Sequence, residues 1–512
     1  MKSTHLSLIA GAVALAAITG FASVAAPEGP AAPAAGATSL LPVERSSLVC
    51  PTPSGSDLAQ TQYTAFTPAG KGGDAEAAAE LKPALPIVDA EDETDPKKAA
   101  KAEEAAKKAQ EKADKPFLAV KEPGKPVVAE ADGSDAPALV GTATGRLAPG
   151  WTAQQTTEIT AGGARGLLGV TCTAPDTDFW FPGASTAKSR QDYIHLTNPD
   201  DAAAVADIEL FGPEGPLDSD VADGITVPAR SSTALLLSTL TPEAVDQLTV
   251  HVTTRSGRIG AVVMSADDAS GSDWISASDE PSATLVLPGV PADAASVQLV
   301  AFAPGEDDAE VKVELMGKNA TFSPAGNATL HIKSSMTAVV DLKAVTRGEP
   351  GSLRLSPVQK KRATPIVAAL RVVRGSGDKQ EVAYLPATGP IGARASVADN
   401  RAEGSTLSLT APGDTARVKV TTSAGSGGGE AAVETYTVKS GTTLAVEPKA
   451  PDGLKGAYAL TVETTSGGPV HASRTMARTK DGVLMFTVQT LADDGGTVEV
   501  PSARQDLSVL AD

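Results

Sequence analysis

Val205-Ala206-Asp207-Ile208-Glu209-Leu210 alternates apolar and polar residues, and Val311-Lys312-Val313-Glu314-Leu315 repeats the alternation about 105 residues later. A period of two marks a strand with one face buried and one wet. The flanking features recur at the same interval. Pro182-Gly183 returns as Pro288-Gly289, and Ile225-Thr226-Val227 before Ser231-Ser232 returns as Leu330-His331-Ile332 before Ser334-Ser335. Tyr436-Thr437-Val438-Lys439-Ser440 gives a third copy. Gly260-Ala261-Val262-Val263, Ile366-Val367-Ala368-Ala369 and Val470-His471-Ala472-Ser473 close the three copies. A repeat this long is a whole small domain, not one turn of a solenoid.

The pattern extends backward in weaker form. Gly163 to Cys172, with Leu167-Leu168-Gly169-Val170, resembles the later closing strand Arg258-Ile259-Gly260-Ala261-Val262-Val263. Residues 40–66 and 137–176 therefore read as a degenerate first unit. Residues 68–135 turn to Ala, Glu, Lys, Pro and Asp, and Asp95 to Lys115 has helix propensity without an apolar stripe. Such a segment cannot bury a core, so it is expected to be a solvated helix or a disordered insertion. The expected organisation is a leader over 1–26, a flexible tether over 27–39, the interrupted unit over 40–176, and β units over 177–282, 283–392 and 393–512. Short Val/Thr/Ile/Leu runs between Gly, Pro, Asn and Asp predict an all-β chain of tandem immunoglobulin-like antiparallel sandwiches set in a row. No strand–helix alternation supports a parallel sheet.

Composition narrows the function classes. The chain has 512 residues, only 3% aromatic, and a net charge of −19. Its cores must be aliphatic, and its field repels phosphate backbones, which disfavours nucleic acid as a partner. Lys2 precedes the uncharged stretch Leu6 to Ala26, which reads as an export signal or, if uncleaved, a membrane anchor. Pro27 after Ala26 disfavours cleavage at that bond. Either way the chain is expected outside the cytoplasm, secreted or held on the outer face of the plasma membrane. Its two cysteines, Cys50 and Cys172, then predict one disulfide.

Catalytic chemistry is hard to find. Ser185-Thr186-Ala187-Lys188 matches a Ser-x-x-Lys element, but its companion motifs are missing. Nucleophile elbow, zinc-protease helix and phosphate loop are all absent. The five histidines lack the short spacing of a zinc site and read as strand residues. Asn198-Pro199-Asp200-Asp201 aligns with Pro304-Gly305-Glu306-Asp307-Asp308, while the fourth unit offers Ala424-Gly425-Ser426-Gly427-Gly428-Gly429. These residues suit a turn as well as calcium. Phe179-Trp180-Phe181 is either a stacking surface or a core and junction element. Trp180, Phe181, Asp200 and Asp201 are the candidate ligand contacts; no catalytic, metal or cofactor residue is assigned.

The run Asp176-Thr177-Asp178-Phe179-Trp180-Phe181-Pro182-Gly183-Ala184-Ser185, followed by Leu196-Thr197-Asn198-Pro199-Asp200-Asp201 in a chain with an export signal, resembles the actinobacterial family named domain of unknown function 5719. The likeness runs from about residue 40 to the end. It implies an exported or membrane-anchored protein of an actinobacterial envelope and supplies no catalytic residues. The expectation is a binding or scaffold protein whose partner is a cell-wall polymer or another envelope protein. The runner-up is a glycan-active enzyme or accessory. That reading requires Asp176 or Asp178 to meet the Asp200-Asp201 loop in one acidic pocket at a domain junction.

Overall fold

A computed structural model describes residues 39–70, 77–86, 104, 107–219 and 224–500. The expected leader, most of the tether, and the tail beyond residue 500 lie outside the described residues. Strands Ser39–Pro42 and Thr497–Val500 pair in a two-stranded sheet of their own. Pro42–Gly496 form one compact unit, nearly all of it β.

The alternation quoted above does what its period demands. In Ala204–Gly212, Ala204, Ala206 and Leu210 point inward. In Ala309–Met316, Val311, Val313 and Leu315 are buried while Glu310 and Lys312 are exposed. Each fully buried Val or Leu is worth about 1.5–3 kcal/mol, so the inward face fixes the register.

The second sandwich shows the plan. One sheet orders Asp178–Ala184, Leu248–Ser256, Ala204–Gly212 and Gly215–Pro216, with Ile225–Val227 also on Ala204–Gly212. The other orders Gly271–Ile275, Gly260–Asp267, Arg190–Thr197 and Ser231–Leu236. Counted along the chain without the two-residue Gly215–Pro216, strands two and five share one sheet and strands three and six the other. The B–E and C–F strands of an immunoglobulin sandwich have this arrangement. Here the first strand flanks the sixth and the seventh flanks the second. The third and fourth sandwiches repeat this order.

The first sandwich draws strands from residues 68–135, which corrects the expectation of a disordered insertion there for 77–86 and 107–135; residues 71–76, 87–103, 105 and 106 lie outside the described residues. Ala79–Pro83 and Leu118–Val120 join Arg45–Cys50 and Leu139–Thr144 in one sheet, and Val127–Asp132 edges the other. Ala79, Leu81, Leu118 and Val120 supply the buried face that the charged composition around them conceals. Residues 107–113 are helical. Leu85–Pro86, from the same stretch, adds a short parallel strand to Ser231–Leu236 of the second sandwich. Cys50 and Cys172, 122 residues apart, form the disulfide across this core. Such a bond belongs to an oxidising compartment. No helix among the described residues is long and apolar enough to cross a membrane.

The sandwiches do not stand in a row; they close into a ring. The eighth strands, Gly166–Thr171, Gly271–Ile275, Glu381–Pro386 and Val483–Leu491, pack one against the next, and the last returns to the first. The first strand of each sandwich lies on the following sandwich's seven–two sheet. Asp178–Ala184 packs on Val367–Arg374, Leu285–Val290 on His471–Lys480, and Ala395–Asn400 on Thr152–Ile159. Val49 completes the cycle against Gly260, whose added Cβ would sit 2.0 Å from Val49 Cγ2. The Pro-Gly pairs mark these contacts. Gly289 has φ +87°, and a Cβ there would fall 2.0 Å from Ser473 Oγ of the fourth sandwich. A glycine admits both the backbone conformation and the close approach.

Candidate functional site

The ring places different chemistry at its axis and its junctions. At the axis, Asp273 Oδ1 accepts hydrogen bonds from Gly169 N and Thr487 Oγ1, both at 3.1 Å, so one carboxyl ties three sandwiches. Burial pushes the Asp273 carboxyl well above the usual carboxylate range, and the backbone donors only partly offset it. Glu381 is held by Arg165 Nε at 2.8 Å, while Arg165 also donates to the Gln380 carbonyl at 2.7 Å. Burial raises Glu381 from 4.5 to about 7 despite that guanidinium. The folded state thus keeps a proton that the unfolded chain releases. Stability from this group is present below about pH 4.5 and is lost as pH rises towards 7. Glu381→Gln is expected to flatten that part of the stability–pH curve, read from thermal midpoints at pH 5 and pH 8.

At the junction of the first and fourth sandwiches lies a groove of about 1050 Å³. The outer face of the first sandwich's second sheet supplies Gln60, Gln62, Glu130, Asp132, Thr156 and Glu158. The turn Arg401–Gly404 and strand residues Met476 to Thr479 supply the other wall. Beneath it the junction is latched by buried polar bonds. Gln154 Oε1 accepts from Ala398 N, Asp399 N and Arg474 Nη2 at 3.1, 3.0 and 3.3 Å, while Arg474 Nη1 holds the Asp399 carbonyl at 2.9 Å within the fourth sandwich. Gln62 Nε2 donates to Asp399 at 2.8 Å, and Arg478 pairs with Glu158 at 2.6 Å. Glu130, Asp132 and Glu403 have no ion-pair partner among the described residues, so the groove is polar and net acidic.

At the junction of the first and second sandwiches is a smaller cavity of about 270 Å³, lined in part by Arg45, Lys82, Asp200, Asp201, Arg230 and Arg258. Asp200 takes a two-pronged pair from Arg258, Nε to Oδ2 and Nη2 to Oδ1, both at 3.0 Å. Asp201 pairs with Arg230 Nε at 3.1 Å. Both candidate aspartates are therefore engaged by guanidinium groups rather than gathered as oxygen ligands. Among the described residues no group of three or more His, Cys, Asp or Glu side chains is placed to hold a metal.

The aromatic candidates are placed differently from a stacking surface. Phe181 is fully buried in the second sandwich's core and stacks on Phe179 at 6.4 Å, so it contacts no ligand. A strand residue facing the sheet's inner side has no route to solvent. Trp180, on the opposite face, is only 8% exposed. It stacks on His251 at 3.6 Å and packs on Phe302 of the third sandwich. His251 in turn faces Glu209 at 3.0 Å and Asp178 at 3.3 Å. Asp178 therefore serves the second–third junction, and Asp200-Asp201 the first–second. Asp178 and the Asp200-Asp201 pair thus share no pocket, and Asp176, which pairs through its backbone with Ile259 next to Arg258, does not line the cavity that holds Asp200 and Asp201.

The structure also corrects the alignment of the acidic turn. Ala424–Gly429 follows the third strand of its sandwich, Ala416–Thr422. The turn equivalent to Pro199-Asp200-Asp201 and Pro304-Gly305-Glu306 is Pro412-Gly413-Asp414, after the second strand Ser405–Ala411. The groove residues went unrecognised because Glu130 and Asp132 sat in the stretch read as unfolded. Their signal was the alternation of Val128, Glu130 and Asp132 with Val127, Ala129 and Ala131.

No curated protein matches the chain. A model described as a family of unknown function (DUF5719) matches residues 127–449, from the edge strand that completes the first sandwich into the fourth. With more than half of its length matched, the chain belongs to that family of unknown function.

Proposed function

We propose that the protein is an exported scaffold of the cell envelope that binds a wall polymer along the groove between its first and fourth sandwiches. The observation that carries this reading is the groove itself, a polar concavity of about 1050 Å³ on a closed ring. Concave sites with a few convergent polar groups are where ligands are expected first. Amide and hydroxyl side chains of Gln60, Gln62 and Thr156 on one sheet face match the hydroxyl- and amide-rich surface of an extended glycan. The disulfide and the apolar stretch Leu6 to Ala26 support export, with anchoring on the outer face of the membrane if that stretch is retained.

Co-sedimentation of the purified chain with isolated wall glycan tests the proposal. The natural protein is expected in the pellet, and a Glu130→Lys/Glu403→Lys variant is expected to bind about tenfold more weakly, the loss of roughly 1.4 kcal/mol. Equal sedimentation of both, with folding intact by circular dichroism, contradicts the groove as the site. Capture of an envelope protein in place of glycan, lost in the same variant, would reassign the partner but keep the groove.

A further inference from the structure

The cavity between the first and second sandwiches is built from residues that the other repeats lack. Arg230 adopts φ +51°, a left-handed conformation that is strained for a non-glycine residue. The same turn position, three residues after the fourth strand's last core residue, is Ser335 with φ +57° in the third sandwich and Gly441 with φ +64° in the fourth. The backbone conformation belongs to the repeat, and its natural occupant is glycine. Only the second sandwich places a guanidinium there. Arg258 is comparable. It precedes Ile259, which bridges to Asp176, whereas prolines 365 and 469 precede the matching bridge residues Ile366 and Val470. The first sandwich adds Lys82 and Arg45, and Arg45 has no carboxylate partner among the described residues.

We infer that this cavity is an oxyanion-binding site, which takes the carboxylate or phosphate groups of an anionic polymer. Four cations, Arg45, Lys82, Arg230 and Arg258, face three carboxylates, Glu80, Asp200 and Asp201, so the cavity is net positive in a chain of net charge −19. Its carboxylates act as positioning groups. Asp200 fixes the Arg258 fork from both oxygens, and its carbonyl accepts the Arg230 amide at 2.9 Å. Asp201 is 89% exposed, so its pair with Arg230 yields readily to a competing anion. Planar guanidinium forks suit two-oxygen recognition of carboxylate and phosphate. The site stands apart from the proposed glycan groove and does not depend on it.

Titration calorimetry of the full chain with short-chain polyphosphate and, separately, with polygalacturonate tests this at fixed ionic strength. Binding of at least one polyanion is expected, weakening steeply with added salt. An Arg45→Gln/Arg230→Gly variant is expected to lose at least about tenfold in affinity. Glycine is the occupant the fourth repeat already uses, so the thermal midpoint should not fall. Which polymer binds separates phosphate from carboxylate as the natural source. Binding of neither polyanion, or equal binding by the variant, overturns the site.

Discussion

Replacing Cys50 and Cys172 together by alanine is expected to lower the unfolding free energy by about 4–5 kcal/mol, because the bond closes a very long loop in the unfolded chain. The bond spans 122 residues and joins the first strand of the first sandwich to the segment leaving its last strand. It also encloses the charged stretch from which four short strands are drawn. These strands bring little apolar surface, so the first sandwich has the weakest claim to fold unaided. The loss should fall on that sandwich first. Chemical denaturation with and without reductant reads the effect, and hydrogen exchange locates it. Identical denaturation midpoints for the oxidised and reduced protein would show that the aliphatic core alone holds the module.

Arg190→Ala is expected to cost about 3–5 kcal/mol, comparable to the disulfide, because it strands a buried carboxylate. Arg190 and Asp192 are both buried, paired at 2.5 Å. The guanidinium also donates to the Gly183 carbonyl at 3.0 Å, to Ser265 Oγ at 3.0 Å and to the Asp246 carbonyl at 3.3 Å. Gly183 forms the bulge through which the second sandwich packs on the third, and Ser265 bonds Tyr384 of the third at 2.9 Å. One arginine therefore supports the bulge, a sandwich core and a junction. An Arg190→Met/Asp192→Leu pair removes both charges and should recover most of the loss. Guanidinium denaturation of the two variants checks this. A single variant as stable as the natural protein would mean that water already reaches Asp192.

Much of the sandwich architecture was legible in the sequence because strand alternation is a local signal. Val311, Val313 and Leu315 announce their buried face without reference to anything distant. The disulfide was legible from the cysteine count together with the uncharged stretch Leu6 to Ala26 read as an export signal. Ring closure was not, because it depends on contacts such as Gln154 with Ala398 and Asp399, 244 and 245 residues away. Nothing in the run Thr152–Ile159 marks its glutamines as junction residues. Composition misled at 79–132, where Leu81, Leu118 and Val120 are scattered among charges yet share one core. The run Phe179-Trp180-Phe181 read as either a stacking surface or a core and junction element, and burial decides for the second, with Phe181 turned into the core and Trp180 towards the neighbouring sandwich. The acidic turn was found, but its fourth copy was misassigned because glycine-rich loops follow two different strands of the repeat.

The account rests on four sandwiches closed into a ring, and small-angle scattering of residues 42–496 tests that most directly. A single compact body of this length has a radius of gyration of about 22 Å, whereas four domain-sized bodies in a row would give roughly 40 Å. A value near the first, with a distance distribution that has one peak, is the predicted result. A value near the second would contradict ring closure, and with it the junction groove and the proposed oxyanion site.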